Sequence, residues 1–251
     1  MPSGNLREYS KTGDLLGTAQ ISGTNDIPES LTVLNGMLFV SDGSGTVSRV
    51  DLSTGRVNPV FNTGTVGLNG LGTFNGNLLT LNFSAHAVGV YSITGILQQT
   101  ILLASTPTSD WNGITSDGTT LYLADYASGR IYEYSSTGIL LGFIDTNLTT
   151  QLTGVAYDPS NHSLWISDAS ANRVLDLSTT GALLSQFSTG SFRPSSGVAV
   201  IPVTIPEPSY QGLWGISLVM VLTYKKVGIS RRLADKIKAA KHSILLQASI
   251  L

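Results

Sequence analysis

The stretch Leu121–Phe143, LYLADYASGRIYEYSSTGILLGF, decides the fold of this chain. Three runs rich in aromatic, large aliphatic or β-branched residues, typical of short strands, are Leu121–Ala124, Arg130–Tyr134 and Ile139–Phe143. Small residues ending in Gly separate these runs, and such residues are common in tight turns. The stretch therefore predicts three short strands joined by turns.

The same pattern recurs along most of the chain. Glycines of Thr-Gly pairs stand 42, 40, 43 and 43 residues apart, at Gly13, Gly55, Gly95, Gly138 and Gly181. A polar residue ends the preceding apolar strand at Asp42, Asn82, Asp125 and Asp168. A Gly opens another short apolar strand at Gly70, Gly113, Gly154 and Gly197, and Ser30 takes that place in the first copy. Three anchors with one period indicate a true internal repeat.

A period of about 40–45 residues with four short strands per unit predicts an all-β β-propeller. Four complete four-stranded blades are expected at roughly 29–61, 68–102, 111–145 and 152–188. A helical solenoid is rejected because turn residues are dense and no 3.6-residue periodicity precedes residue 225.

The two ends of this region predict an incomplete composite closing blade. Residues 3–17 match the second half of a unit, and residues 196–202 match only its first strand. The second strand is missing from both, unless Val203–Ile205 fills the gap. We therefore expect five blade positions, or six if the chain is truncated at its N-terminus.

The repeat resembles the NHL-like propeller superfamily. The resemblance rests on Tyr122–Asp125 with Arg130-Ile131 and on Trp165–Asp168 with Arg173-Val174, and it covers about residues 3–202. It implies the architecture but no particular activity, because propellers include scaffolds, binders and enzymes.

Charge is distributed unevenly along the chain. Residues 1–205 carry seven Lys/Arg and fourteen Asp/Glu, about −7, whereas residues 206–251 carry seven and two, about +5. An acidic body repels phosphate backbones, so a nucleic-acid partner is not expected. The chain has no Cys, which excludes disulfides and thiolate metal sites.

The sequence after the repeats divides into three parts. The sequence predicts a Pro-rich linker at residues 203–211, an apolar helix of transmembrane type with a basic flank at residues 212–226, and a basic amphipathic tail at residues 227–251. The basic residues flanking the apolar run are Lys225, Lys226, Arg231 and Arg232. The apolar run itself is shorter than the ~20 residues of a normal spanning helix.

Pro206-Glu207-Pro208, followed by an apolar run and a basic cluster, resembles the bacterial PEP-CTERM sorting signal. The resemblance implies export to the cell envelope or the extracellular matrix, a membrane-associated precursor and cleavage by an exosortase. Two features depart from that family. No signal peptide is visible in MPSGNLREYS, and the chain continues to Leu251, which either lies along a membrane surface or is readthrough.

Candidate ligand residues precede the Gly-led strands. Glu29, Asn69 and Asn112 offer hard oxygen atoms suited to Ca²⁺, and Asn69-Gly70 and Asn112-Gly113 resemble segments of the gluconolactonase-like propellers. That resemblance implies a metal-dependent lactone hydrolase. Turn chemistry is the alternative explanation of these Asn-Gly pairs.

The other polar repeats predict structure more than chemistry. Asp42, Asp125 and Asp168 are expected to bond the amides of the turns that follow them, and Trp111 and Trp165 are expected to pack inside blades. No nucleophile elbow, P-loop, zinc-protease motif or EF-hand loop is present. The sequence therefore predicts a non-enzymatic envelope or extracellular propeller that binds a polysaccharide, protein or small molecule. The alternative is a Ca²⁺-dependent hydrolase of lactones or similar esters that uses the central channel.

Overall fold

The computed structural model describes residues 3–23, 27–82, 86–105, 110–147, 151–191, 197–201 and 218–223. Within these ranges the chain is all-β. The strands are β1 (Ser3–Ser10), β2 (Leu15–Ser22), β3 (Pro28–Leu34), β4 (Met37–Asp42), β5 (Thr46–Asp51), β6 (Arg56–Asn62), β7 (Leu68–Phe74), β8 (Asn77–Asn82), β9 (Ala87–Tyr91), β10 (Leu97–Leu102), β11 (Trp111–Ser116), β12 (Thr120–Asp125), β13 (Arg130–Ser135), β14 (Leu140–Asp145), β15 (Leu152–Asp158), β16 (Ser163–Asp168), β17 (Arg173–Ser178), β18 (Leu183–Ser188), β19 (Gly197–Ile201) and β20 (Leu218–Thr223).

Four antiparallel blades follow the predicted repeat. They are β3–β6, β7–β10, β11–β14 and β15–β18, each in simple sequential order from the inner to the outer strand. The predicted four-stranded units are therefore confirmed. In the opening stretch, Leu121–Ala124 lies in β12, Arg130–Tyr134 in β13 and Leu140–Phe143 in β14.

The closing blade is assembled from three separate parts of the chain, in the order β19-β20-β1-β2. Strand β20 pairs antiparallel with β19 from Gly197↔Leu222 to Ile201↔Leu218. On its other side it pairs with β1 from Asn5↔Thr223 to Ser10↔Leu218. The second strand that the repeat analysis found missing is therefore supplied by residues 218–223.

A helix was predicted for residues 212–226, and the structure describes six residues of this run. Leu218–Thr223 form strand β20, because the edges of β19 and β1 leave backbone groups that an extended segment can pair. For the other residues of the run, the helix stays a prediction. Where the structure describes the chain, no helix has the length and hydropathy needed to cross a membrane. Residues 203–217 and 224–251 lie outside the described residues.

The inner strands form a closed ring. Strand β3 contacts β7, β7 contacts β11, β11 contacts β15, β15 contacts β19, and β19 contacts β3. Among the described residues, five blade positions therefore complete the circle.

The Gly-led segments set the spacing between inner strands. A Cβ atom on Gly113 would lie 2.8 Å from the Cα of Gly154, and one on Gly154 would lie 2.6 Å from the Cα of Gly197. Ser30 replaces Gly in the first blade, and its Oγ accepts a 2.9 Å hydrogen bond from the backbone N–H of Leu71 in the next blade. Backbones of neighbouring blades thus meet with almost no side chain between them.

The Thr-Gly turns make a second set of contacts farther from the axis. Each turn glycine has a positive φ, between 72° and 92°. Each also packs against the outer strand of the preceding blade, at Phe187, Gln20, Phe61, Leu102 and Ile144 for Gly13, Gly55, Gly95, Gly138 and Gly181 respectively. The 42-residue repeat of these glycines therefore records where blades dock on one another.

The apolar core lies between blades. Each of five buried clusters combines residues of two neighbouring blades; for example, Leu79 and Leu81 of β8 pack with Trp111, Leu123 and Tyr134 of the next blade. A single blade cannot bury its own faces, so the ring is stabilised by stacking.

We expect Gly154→Ala to lower the free energy of unfolding by about 1–3 kcal/mol, because the added methyl group would press on the backbone of β19. Urea denaturation of the Gly154→Ala variant and of the unsubstituted protein measures this difference. Gly142→Ala in β14 is the matched control, since its nearest neighbour would be the Glu133 carboxylate at 3.7 Å and its stability should change little. Equal effects of the two substitutions would contradict the role of the Gly154 contact.

Candidate functional site

The predicted ligand residues occupy one repeated backbone feature. In the inner strands β3, β7, β11 and β15, the pairing with the second strand skips one residue near the N-terminal end. The skipped residues are Glu29, Asn69, Asn112 and Thr153. Each is therefore the extra residue of a β-bulge, a feature that re-aims a side chain and is common beside binding sites.

These bulges lie at equivalent positions in the inner strands of four blades. In a propeller, equivalent positions of the inner strands are expected to lie around the same mouth of the central channel. Glu29, Asn69 and Asn112 are partly exposed, whereas Thr153 is buried. The Thr153 hydroxyl donates a 2.9 Å hydrogen bond to Ser167 Oγ, so it is used within its own blade. The structure thus places one carboxylate and two carboxamides at the same bulge position of three blades. The equivalent Ser196 lies outside the described residues.

No three His, Asp or Glu residues of the described part of the chain come together as a metal-binding group. A cation at the channel mouth would therefore depend on the amide oxygens of Asn69 and Asn112 beside the Glu29 carboxylate. Hard oxygen donors of this kind suit Ca²⁺, and a low count of charged ligands gives weak affinity.

Asp110 is a further acidic residue, two positions before the bulge residue Asn112, and it was not part of the predicted ligand set. It directly precedes β11, and its backbone oxygen accepts a 2.9 Å hydrogen bond from Tyr126 N–H. Burial raises the pKa of the Asp110 carboxyl, and the nearby Asp125 carboxylate raises it further. In the sequence, Asp110 was marked only by its position close to Asn112. That position does not indicate that Asp125 lies beside Asp110.

The repeated aspartates that end the second strands have the structural role that was predicted. Asp42 Oδ1 accepts hydrogen bonds from Ser44 N–H at 3.1 Å and Thr46 N–H at 3.0 Å. Asp168 Oδ1 accepts one from Ser170 N–H at 2.9 Å, while its Oδ2 accepts one from Arg173 Nε at 2.8 Å. Asp125 likewise bonds Ser128. These carboxylates hold the turns between second and third strands.

The tryptophans pack as predicted. Trp111 is fully buried and lies edge-on to Tyr132, with ring centroids 5.2 Å apart. Trp165 is 1% exposed, and its Nε1–H donates to Asp158 Oδ2 at 3.1 Å. A sugar ring at the surface could therefore not stack on either side chain.

The sorting motif Pro206-Glu207-Pro208 and the basic residues Lys225, Lys226, Arg231 and Arg232 lie outside the described residues. Their roles remain predictions from sequence.

The fold and the polar channel mouth define a β-propeller with a candidate ligand site on its axis. The chain is similar to the solved structure of Myxococcus xanthus glutaminyl cyclase, with 18% identity and a TM-score of 0.60, over 89% of this chain and 99% of that one. A second similar structure is a Bacteroides caccae protein of unknown function, with 11% identity and a TM-score of 0.51, over 76% and 75% of the two chains. At these identities the likeness supports the propeller fold and nothing finer. No protein-family model matches the sequence, and no curated protein matches it.

Asp168→Ala should lower the free energy of unfolding by about 2–4 kcal/mol, because buried turn amides and Arg173 would lose a carboxylate partner. Asp51→Ala is the matched control: Asp51 also caps a turn, through a 2.8 Å bond from Ser53 N–H, but it is exposed and water can replace it. Thermal and urea unfolding of both variants measure the difference. A stable Asp168→Ala protein that has lost ligand binding would instead make Asp168 a ligand residue.

Proposed function

We propose that this protein is a non-enzymatic binding propeller of the cell envelope or the extracellular space, and that the mouth of its channel holds the ligand. The observation that carries the proposal is the equivalent bulge position of Glu29, Asn69 and Asn112 in three inner strands. We infer that the three side chains face the axis together. A rigid ring holds such side chains in fixed positions, and this lowers the entropy cost of binding.

The chemistry of the mouth favours a ligand rich in hydroxyl groups, such as a polysaccharide. A carboxamide both donates and accepts hydrogen bonds, and a carboxylate accepts two or more. Alternating donors and acceptors match the vicinal hydroxyls of a sugar. The body of about −7 disfavours anionic polymers.

Asn69→Ala combined with Asn112→Ala should weaken binding of a neutral oligosaccharide by about tenfold or more, because two polar contacts are lost. Calorimetric titration against a panel of neutral and acidic oligosaccharides checks the prediction. Asn58→Ala, on outer strand β6, is the matched control and should bind as the unchanged chain does. Absence of binding to every member of the panel would count against a carbohydrate ligand.

The location follows from the C-terminal sequence. Pro206-Glu207-Pro208, the apolar run and the cluster Lys225-Lys226 have the order of a sorting signal, with the basic side retained on the cytoplasmic face. We infer processing by an exosortase-type enzyme at the membrane, before release to the envelope or beyond.

A chain preceded by a signal peptide, expressed in an exosortase-containing host, should lose its C-terminal tail, as intact-mass measurement of the exported protein would show. Pro206→Ala with Pro208→Ala should keep the tail, because the recognised segment is changed. Export of a mature protein that still contains residues 209–251 would refute the sorting proposal.

A Ca²⁺-dependent hydrolase is the second candidate function. It is favoured by the shared bulge position of Glu29 and the two asparagines. Asp110 lies two residues before Asn112, and burial and the nearby Asp125 raise the pKa of its carboxyl. A carboxyl with a raised pKa is a better proton donor than an ordinary surface carboxylate at the same pH, because more of it is protonated. The similar fold of a glutaminyl cyclase supports only that such a ring can host an enzyme.

The two candidates differ in their response to Ca²⁺. Under the binding proposal, titration with millimolar Ca²⁺ gives no heat, and lactone, ester and glutaminyl substrates are not turned over. Turnover that requires Ca²⁺ and disappears in Glu29→Gln, but survives in the exposed control Asp51→Asn, would favour the hydrolase.

A further inference from the structure

The closing blade contains a strand whose position is not fixed by a short turn. Strand β20 follows β19 after sixteen residues, whereas β3 and β4, or β7 and β8, are joined by two. Closing a loop eight times longer is about twentyfold less favourable by the polymer estimate. Its position between β19 and β1 therefore depends on pairing with these two edges more than on its connection.

The strands on the two sides of β20, which are β19 and β1, each make contacts with other blades that do not involve β20. On one side, the Cα of Gly197 lies against Gly154, and Gly197 also packs on Leu31 of the first blade. On the other side, the β1–β2 hairpin is held by several contacts to its neighbours. These are the ion pair of Lys11 with the buried Asp158, the packing of Tyr9 on Phe187 with centroids 5.1 Å apart, and a 3.2 Å bond from Ser22 N–H to the Gly55 oxygen.

The space between β19 and β1, which β20 occupies, is therefore a site that can accept one strand. The site is bounded by the edges of β19 and β1, and its length is the five or six residues over which β20 pairs with them. A segment that fits must be extended and must offer N–H and C=O groups on both edges. It must also be apolar, because the neighbouring inner strand is buried at Val198, Ala199 and Val200.

Strand β20, which occupies this site, also has a sequence suited to a lipid bilayer. Residues 218–223 belong to the apolar run from Gly212 to Tyr224, which is followed by Lys225-Lys226. Apolar residues with a basic flank favour a lipid bilayer, where backbone groups must bond within the segment. One segment cannot pair with β19 and β1 and enter a bilayer at the same time.

We propose that residues 218–223 act as an exchangeable closing strand, and that occupation of the site between β19 and β1 withholds them from the membrane. When the strand leaves, the ring keeps its inner-strand and hairpin anchors but has an open site for an extended apolar segment. The closed blade is therefore the form that competes with membrane association. The membrane as destination rests on the proposed sorting function.

The cysteine-free chain allows a direct test on the full-length protein. Glu8 of β1 pairs with Met220 of β20, so Glu8→Cys with Met220→Cys should form an intramolecular disulfide on mild oxidation. Glu8→Cys with Val221→Cys is the matched control, because a shift of one residue puts the second cysteine out of register. Non-reducing electrophoresis and mass spectrometry of the linked peptides identify the product.

The oxidised, locked protein should then bind vesicles of phosphatidylethanolamine and phosphatidylglycerol about tenfold or more weakly than the same protein after reduction. Flotation at high salt measures this, since salt suppresses binding by the basic tail. Equal flotation of both forms would overturn the proposal. So would failure of the disulfide to form in a variant that shows the unfolding transition of the unchanged chain.

A disulfide between two chains would also overturn it, because the site would then be filled by a second copy. This test and the test of the sorting proposal can fail independently. If the disulfide forms and suppresses flotation, the closing-strand proposal stands even when residues 209–251 are retained in an exosortase-containing host. If the tail is lost but the disulfide has no effect on flotation, only the closing-strand proposal is refuted.

Discussion

The near-contact of neighbouring backbones around the axis is the constraint on which the rest of this structure depends. At Gly113, Gly154 and Gly197, a single methyl group would already collide with the next blade. Inner strands that approach so closely can stack the sheets face to face, so each interface buries one of the five apolar clusters. Close packing of this kind tolerates little change in volume, because interiors are as dense as organic crystals.

The same constraint creates the candidate site. Four of the five inner strands have a bulge at the residue just before the close-contact position, so Glu29, Asn69, Asn112 and Thr153 are displaced from regular pairing. Ser30 shows how the ring adapts where Gly is missing, since its hydroxyl bonds the backbone of the next blade. The candidate site residues thus directly precede the positions where the blades meet.

In the closing blade, the fold and the proposed sorting signal use the same residues. Its inner strand, second strand and outer hairpin come from three distant parts of the chain. Interfaces on both sides hold β19 and the hairpin, yet the strand between them also belongs to an apolar run with a basic flank. A ring needs every position filled to leave no unpaired edge, whereas the proposed sorting signal would need the same residues free. The closed ring and the proposed sorting function therefore compete for this strand.

The sequence by itself determined the repeat, the strands of four blades and the structural role of the repeated aspartates, because these depend on local turn chemistry and alternation of residues. It also located Glu29, Asn69 and Asn112, since a fixed offset from a repeated Gly marks equivalent positions. Only the tertiary structure decided that Leu218–Thr223 pairs as a strand, because an apolar run has no periodicity that separates helix from strand. Likewise, only the tertiary structure brought Asp110 beside Asp125 and matched each turn glycine to the preceding blade. Such pairings join residues far apart in the chain, and their partners are defined only when the ring closes.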